Sequence, residues 1–164
     1  MAQVHQHQHA YQPLPFNPTM KHSDRERFIC IYPAYIDAKK TVKEGRKIPK
    51  SLCIENPSYQ EIKDVLSVTN LKCEVENKIY PRERSKELLH RGRIRLQIKH
   101  EDGTPINPDL ATRMQVFKYV ATIIPQLKTR IANPKGEPVV AQASSSQQQG
   151  SSSGGGKKGK GKKR

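Results

Sequence analysis

Residues 91–99 read RGRIRLQIK, and the alternation within them decides the fold class. Ile94, Leu96 and Ile98 fall on one side of an extended chain, with Arg93, Arg95, Gln97 and Lys99 on the other. That is the period of an antiparallel strand with one face in a core and one in water. Upstream, Leu71, Cys73 and Val75 alternate in the same way with Lys72, Glu74 and Glu76, and Phe28 to Tyr32 is a short β-rich apolar run ending at Pro33. Between these two strands, Asn56-Pro57 offers a helix cap and a first-turn proline, and Ile62, Val65 and Leu66 follow at helical spacing. Asn70 is suited to the left-handed turn that closes such a helix. Downstream, Asp102-Gly103 marks a turn and Asn107-Pro108 repeats the helix-start signal. Leu110, Met114, Phe117, Ala121 and Ile124 then mark one face of a second helix, which Pro125 ends. The order is β-α-β-β-α. Its simplest assembly is an α+β two-layer sandwich, a three-stranded antiparallel sheet with two helices on one face.

Composition narrows the class of partner. The 164 residues carry 30 Lys+Arg against 15 Asp+Glu, a formal charge of +15. Such an excess points to a polyanion, because neutralising phosphates releases their condensed counterions. The longest apolar runs are too short to span a bilayer, and the His/Gln-rich start has no apolar leader core, so an intracellular, reducing setting is expected. Cys30, Cys53 and Cys73 form no C-x-x-C pair and sit among apolar neighbours, so they read as free, packed thiols. Residues 1–24, rich in His, Gln and Pro, read as an unfolded arm, residues 25–134 as the folded domain, and residues 135–164 as a Ser/Gly linker with a lysine-rich tail. The tail holds six cations from Lys157 to Arg164, so +9 remains on the rest. About 110 residues bury one modest core.

Within the domain the cations form two clusters. Lys39, Lys40, Lys43, Arg46, Lys47 and Lys50 lie in the long connection after the first strand, among Asp37, Glu44 and Glu55. Lys78, Arg82, Arg84, Lys86, Arg91 and Arg93 lie between the second and third strands and run into the third. A helical crossover makes the first two strands point the same way, which places both connections at one end of the sheet, where one ligand meets both. Tyr35 offers a stacking face to a nucleotide, Tyr32 reads as a core residue, and Gly45 lets the backbone approach a phosphate.

In this order and at these separations, IYPAY (31–35), KK (39–40), EGRKIP (44–49), ENP (55–57), NKIYPRE (77–83), RGRIR (91–95) and IIPQLKTR (123–130) resemble the family of nineteen-kilodalton subunits of the signal recognition particle. The tail KKGKGKKR is similar to the lysine-rich end of its eukaryotic members. The resemblance implies a β-α-β-β-α protein that grips the tetraloop tips of two adjacent hairpins of the particle's RNA, clamps them together and so lets the GTPase subunit dock on the RNA during co-translational targeting. It implies Tyr35, Arg46, Lys47 and Lys78 as recognition residues, supported by Lys39, Lys40, Arg82 and Arg91; Arg84 and Arg93 join the expected RNA-binding set from the second basic cluster. It further implies a monomer whose link to the GTPase subunit runs mainly through RNA, with no membrane insertion, in the cytoplasm and, during assembly, the nucleolus.

Other readings are weaker. An RNA-recognition motif stacks bases on aromatic residues of its central strands, and the third strand has none. A basic ribosomal protein fits composition and element order equally well. His22, His90 and His100 have no partners at ligand or nucleophile-base spacing, so no enzyme, metal or cofactor is expected; the HQHQH stretch reads as low complexity rather than a metal site. The tail suits either added nonspecific RNA affinity or nuclear import.

Overall fold

A computed structural model describes residues 17–137. Strands β1 (Ile29–Ile31), β2 (Cys73–Ile79) and β3 (Arg91–Leu96) form one sheet in the order β1-β3-β2, with β3 antiparallel to both neighbours. The register pairs Ile29 with Leu96 and Ile31 with Ile94 on one side, and Cys73 with Leu96 and Val75 with Ile94 on the other. Helices α1 (Tyr59–Ser67) and α2 (Arg113–Ile123) share one hydrophobic cluster with Ile29, Ile31, Ile94 and Leu96. Cys30, Arg93 and Arg95 alternate to the other face. The expected two-layer α+β sandwich, with both helices on one face, is the fold.

Its details depart from the sequence expectation in four places. Asn56 does not cap α1: its φ is 45°, outside the extended range a cap adopts. Ser58 caps instead, its hydroxyl accepting from the Glu61 N–H while the Glu61 carboxylate accepts from the Ser58 N–H, a reciprocal capping box. Asn107-Pro108 likewise opens only a single 3-10 turn, Pro108–Leu110; α2 begins after Thr112, boxed with Gln115. The buried face of α2 is therefore Val116, Phe117, Val120 and Ala121, and Met114 is 42% exposed. Val75 is 43% exposed because β2 is an edge strand. Finally, a third helix, α3 (Lys128–Ala132), follows the Pro125 turn.

That third helix is held by one side chain. Arg130, 3% exposed, donates to the Glu61 carboxylate and to the carbonyls of Glu55, Asn56 and Pro134. Its guanidinium ties the C-terminal segment to the start of α1. Burial alone pushes the Glu61 carboxyl up, but the Arg130 guanidinium and the Ser58 amide and hydroxyl hold it below its ordinary range. Asn70 takes the expected left-handed turn, φ 54°. The cysteines are free and partly buried, Cys53 and Cys73 against the main core and Cys30 against a smaller tyrosine cluster.

At the N-terminal side, Lys21 pairs with Glu101, and at the C-terminal side Asn56 donates to the Lys135 carbonyl at 2.9 Å. The expected arm up to residue 16 and the tail from residue 138 lie outside the described residues. Among the described residues no helix is long and apolar enough to cross a membrane.

Candidate nucleic-acid interface

Because β1 and β2 both run antiparallel to β3, they run the same way, and the connections that follow them leave from one end of the sheet. The connection over residues 32–58 is closed at its base by a parallel bridge between Asp37 and Ile54, with Ala38 N–H donating to the Ile54 carbonyl at 2.8 Å. Asp37 is 3% exposed, and burial pushes its carboxyl up from the ordinary value. The tip, residues 41–45, is a turn in which the Glu44 carboxylate accepts from the Thr41 N–H and hydroxyl, both at 2.8 Å. Those bonds hold Glu44 below the usual carboxylate range. Arg46 fastens the return limb: its Nε donates to the Lys40 carbonyl at 3.0 Å and its Nη1 to the Ile48 carbonyl at 2.7 Å.

The connection over residues 80–90 meets the first one through tyrosines. The Tyr80 ring, almost fully buried, lies 5.1 Å from Tyr32 and 5.4 Å from Tyr35 between centroids. Gly45 sits against it at φ 131°; a Cβ there would stand 2.6 Å from Tyr80 Cε1. Only a residue without a Cβ permits both that backbone angle and that approach. Arg82 donates from Nε and Nη2 to the Tyr80 hydroxyl, at 2.9 and 2.6 Å, and from Nη1 to the Lys43 carbonyl at 2.7 Å. Glu83 accepts from Lys40 Nζ at 2.8 Å and from the Ser85 N–H at 3.1 Å. Two separate stretches of chain thus make one basic surface.

The ten expected site residues divide by how much of each is already engaged. Lys47 is exposed, its Nζ 5.7 Å from the Tyr35 ring centroid; Lys78 and Arg84 are exposed with no hydrogen bond or ion pair to a described residue. Lys39 is half exposed and 3.8 Å from Glu55. These four present ammonium or guanidinium groups to solvent. Lys40, Arg46 and Arg82 bind within the protein as described. Arg91 is partly buried, its Nε without a partner. Arg93 pairs with Glu76 and donates to the Tyr32 hydroxyl at 2.9 Å, so it belongs to an ionic network on the open face of the sheet that includes Arg25 and Arg95. Tyr35 keeps one side open while packing on Tyr32, Tyr80 and Phe117, and burial raises its hydroxyl.

Three residues of the surface escape a reading of the sequence. Tyr80 and Glu83 sit within NKIYPRE, where the only signal is a tyrosine-proline step leaving a strand. Arg113, in the first turn of α2, brings a positive charge near Tyr35 and carries no sequence signal at all. The surface as built is a rim of exposed cations around a packed tyrosine cluster, suited to phosphates and to unpaired bases rather than to the deep groove of a stem.

The family model described as SRP19 protein matches residues 30–127. The signal recognition particle 19 kDa protein of Drosophila melanogaster is 56% identical over 115 residues, 70% of this chain and 72% of that protein. The human protein of the same name is 47% identical over 143 residues, 87% of this chain and 93% of that protein. A crystal structure of SRP19 in complex with the S domain of signal recognition particle RNA aligns at a TM-score of 0.47 and 32% identity, over 58% of this chain and 95% of that one.

Proposed function

The chain belongs to the SRP19 protein family, and from that membership we propose that it is an RNA-binding assembly subunit of the signal recognition particle. It binds the tetraloop tips of two adjacent hairpins of the particle RNA and clamps them side by side, which promotes docking of the GTPase subunit through the RNA. The observation that carries this reading is that two basic connections, far apart in sequence, emerge from one sheet end and are bonded to each other through Arg82 and the Lys43 carbonyl. One surface therefore reaches two RNA elements at once.

Lys39, Lys47, Lys78 and Arg84 are the groups placed to neutralise phosphates, Tyr35 to lie against a base, and Arg46 to combine a contact with support of its own limb. The role is binding and assembly, not catalysis. The working unit is a monomeric domain over residues 25–134, in a cytoplasmic particle, with passage through the nucleolus during assembly.

Hydroxyl-radical footprinting on the particle RNA tests the reading. Protection of both hairpin tips, lost together when Lys39 and Lys47 are changed to glutamine, is the expected result. Protection of one hairpin only, or equal affinity for ribosomal RNA, would overturn it.

A further inference from the structure

Glu83 is an acid in the middle of a phosphate-binding surface, and electrostatics alone would count it as a defect. Its carboxylate is 3% exposed and is covered from three sides: Lys40 Nζ at 2.8 Å, the Ser85 N–H at 3.1 Å and His90 Nδ1 at 3.9 Å. One residue earlier, Arg82 directs three N–H groups inward, two to the Tyr80 hydroxyl and one to the Lys43 carbonyl. Two residues before that, the Tyr80 ring receives Gly45. The three grips fall on Lys40, Lys43 and Gly45, so they span the limb that carries Lys39, Arg46 and Lys47.

A buried carboxylate is expensive to desolvate unless its partners are well placed, and removing one member of such a pair leaves the other uncompensated. Here the pair joins two connections that lie far apart in sequence and that also meet through Arg82 and Tyr80. Burial pushes Glu83 up, yet the Lys40 ammonium and the Ser85 amide hold its carboxyl below the ordinary range.

We propose that Glu83 and Arg82 are positioning residues for RNA binding: they hold the first connection in the shape that receives RNA, and neither touches a phosphate. This rests on the RNA-binding reading above and specifies how its surface is set up. A protein that must first order the limb binds with an apparent affinity reduced by the fraction of ordered molecules.

The two roles predict opposite signs. If Glu83 acts on RNA only through its charge, Glu83→Gln removes a repulsion and tightens binding. As a positioning residue, its replacement by glutamine weakens binding, by about tenfold where one charged hydrogen bond is lost. For Arg82→Gln a lost phosphate contact lowers the salt slope by roughly 0.7 to 0.9, whereas a lost grip lowers affinity and leaves the slope unchanged.

The experiment measures affinity of the full chain for a transcript of the particle RNA over a salt series, with amide exchange of residues 39–47 and of Ile94 and Leu96 in the free protein. The expected result is weaker binding by both variants at an unaltered slope, with faster exchange at 39–47 and protected core amides. Should Glu83→Gln lose core protection, the charge swap Lys40→Glu with Glu83→Lys takes its place: each single change weakens binding and the pair restores it. Equal or tighter binding by a folded Glu83→Gln variant, a fallen slope in Arg82→Gln, or a swap that restores nothing overturns the proposal. Failure of the unaltered chain to bind the transcript would instead remove the RNA-binding reading itself.

Discussion

Replacing Arg46 by alanine is expected to weaken binding of the particle RNA by roughly 1 to 3 kcal/mol, about 5- to 150-fold, the range for loss of a guanidinium fork from a nucleic-acid edge. The structure divides that loss into two parts. Two of the five N–H donors already serve the carbonyls of Lys40 and Ile48, at 3.0 and 2.7 Å, and the guanidinium also bonds the Cys53 thiol, which leaves at most two donors for a ligand. Ile48 is 2% exposed, so its carbonyl has little water to replace the lost donor. The internal part should appear as a stability loss on the order of 1–2 kcal/mol, given that the side chain is only partly buried. Arg46→Lys separates the parts: an ammonium keeps the charge but does not span two carbonyls. The assay pairs fluorescence anisotropy with a labelled particle RNA across a salt series and urea unfolding of the same samples. Alanine should lose stability, affinity and salt slope, and lysine should recover slope but not stability. A folded alanine variant that binds like the parent, or a lysine variant that recovers everything, would refute the reasoning.

Gly45→Ala introduces a Cβ into the Tyr80 ring at a left-handed φ, and should destabilise by about 1–3 kcal/mol and weaken RNA binding, as measured by urea unfolding and anisotropy. Arg130→Met leaves the Glu61 carboxylate and three carbonyls without their donor, and should destabilise by about 3–5 kcal/mol in the same unfolding assay. Glu61, Glu76 and Glu83 are all held below the ordinary glutamate range, so each contributes stability that is complete above that range and disappears as pH falls through its lowered folded value. Asp37, raised by burial, acts in the opposite sense over the window above its ordinary value. Acid unfolding followed by circular dichroism should therefore begin below the usual glutamate range, and Arg130→Met should move its onset to higher pH.

Much of this was legible from spacing, and the remainder has a common physical cause. The alternation of Ile94, Leu96 and Ile98 with arginines identifies the central strand because a half-buried strand has no other way to satisfy both faces. The crossover rule puts both connections at one end of the sheet, where they are found, although Lys78 lies within β2 and Arg91 and Arg93 within β3, with Arg93 on the open face. Two helices start beyond their asparagines for one reason: Asn56 and Asn107 both carry cap chemistry, but Ser58 and Thr112 each have a partner three residues on, and the reciprocal pair wins. Helix α3 has a short polar sequence with no face of its own, and depends on Arg130 reaching residues far upstream. Tyr80 and Glu83 likewise act on a loop far from them in sequence, through Gly45 and Lys40. A local pattern reports what a segment buries beneath itself, not which distant loop it will grip.

The order β1-β3-β2 also sets a timetable. Ile29 has no strand to pair with until Leu96 exists, and Cys73 waits for the same residue. As the chain leaves the ribosome from its N-terminus, the two outer strands and α1 emerge before the strand that joins them, and such non-local pairing is slow to form. Pairing of β3 with both outer strands is what sets the two basic connections at one end of the sheet. A nascent chain that ends before β3 has the cations of both connections but lacks the strand that sets those connections side by side.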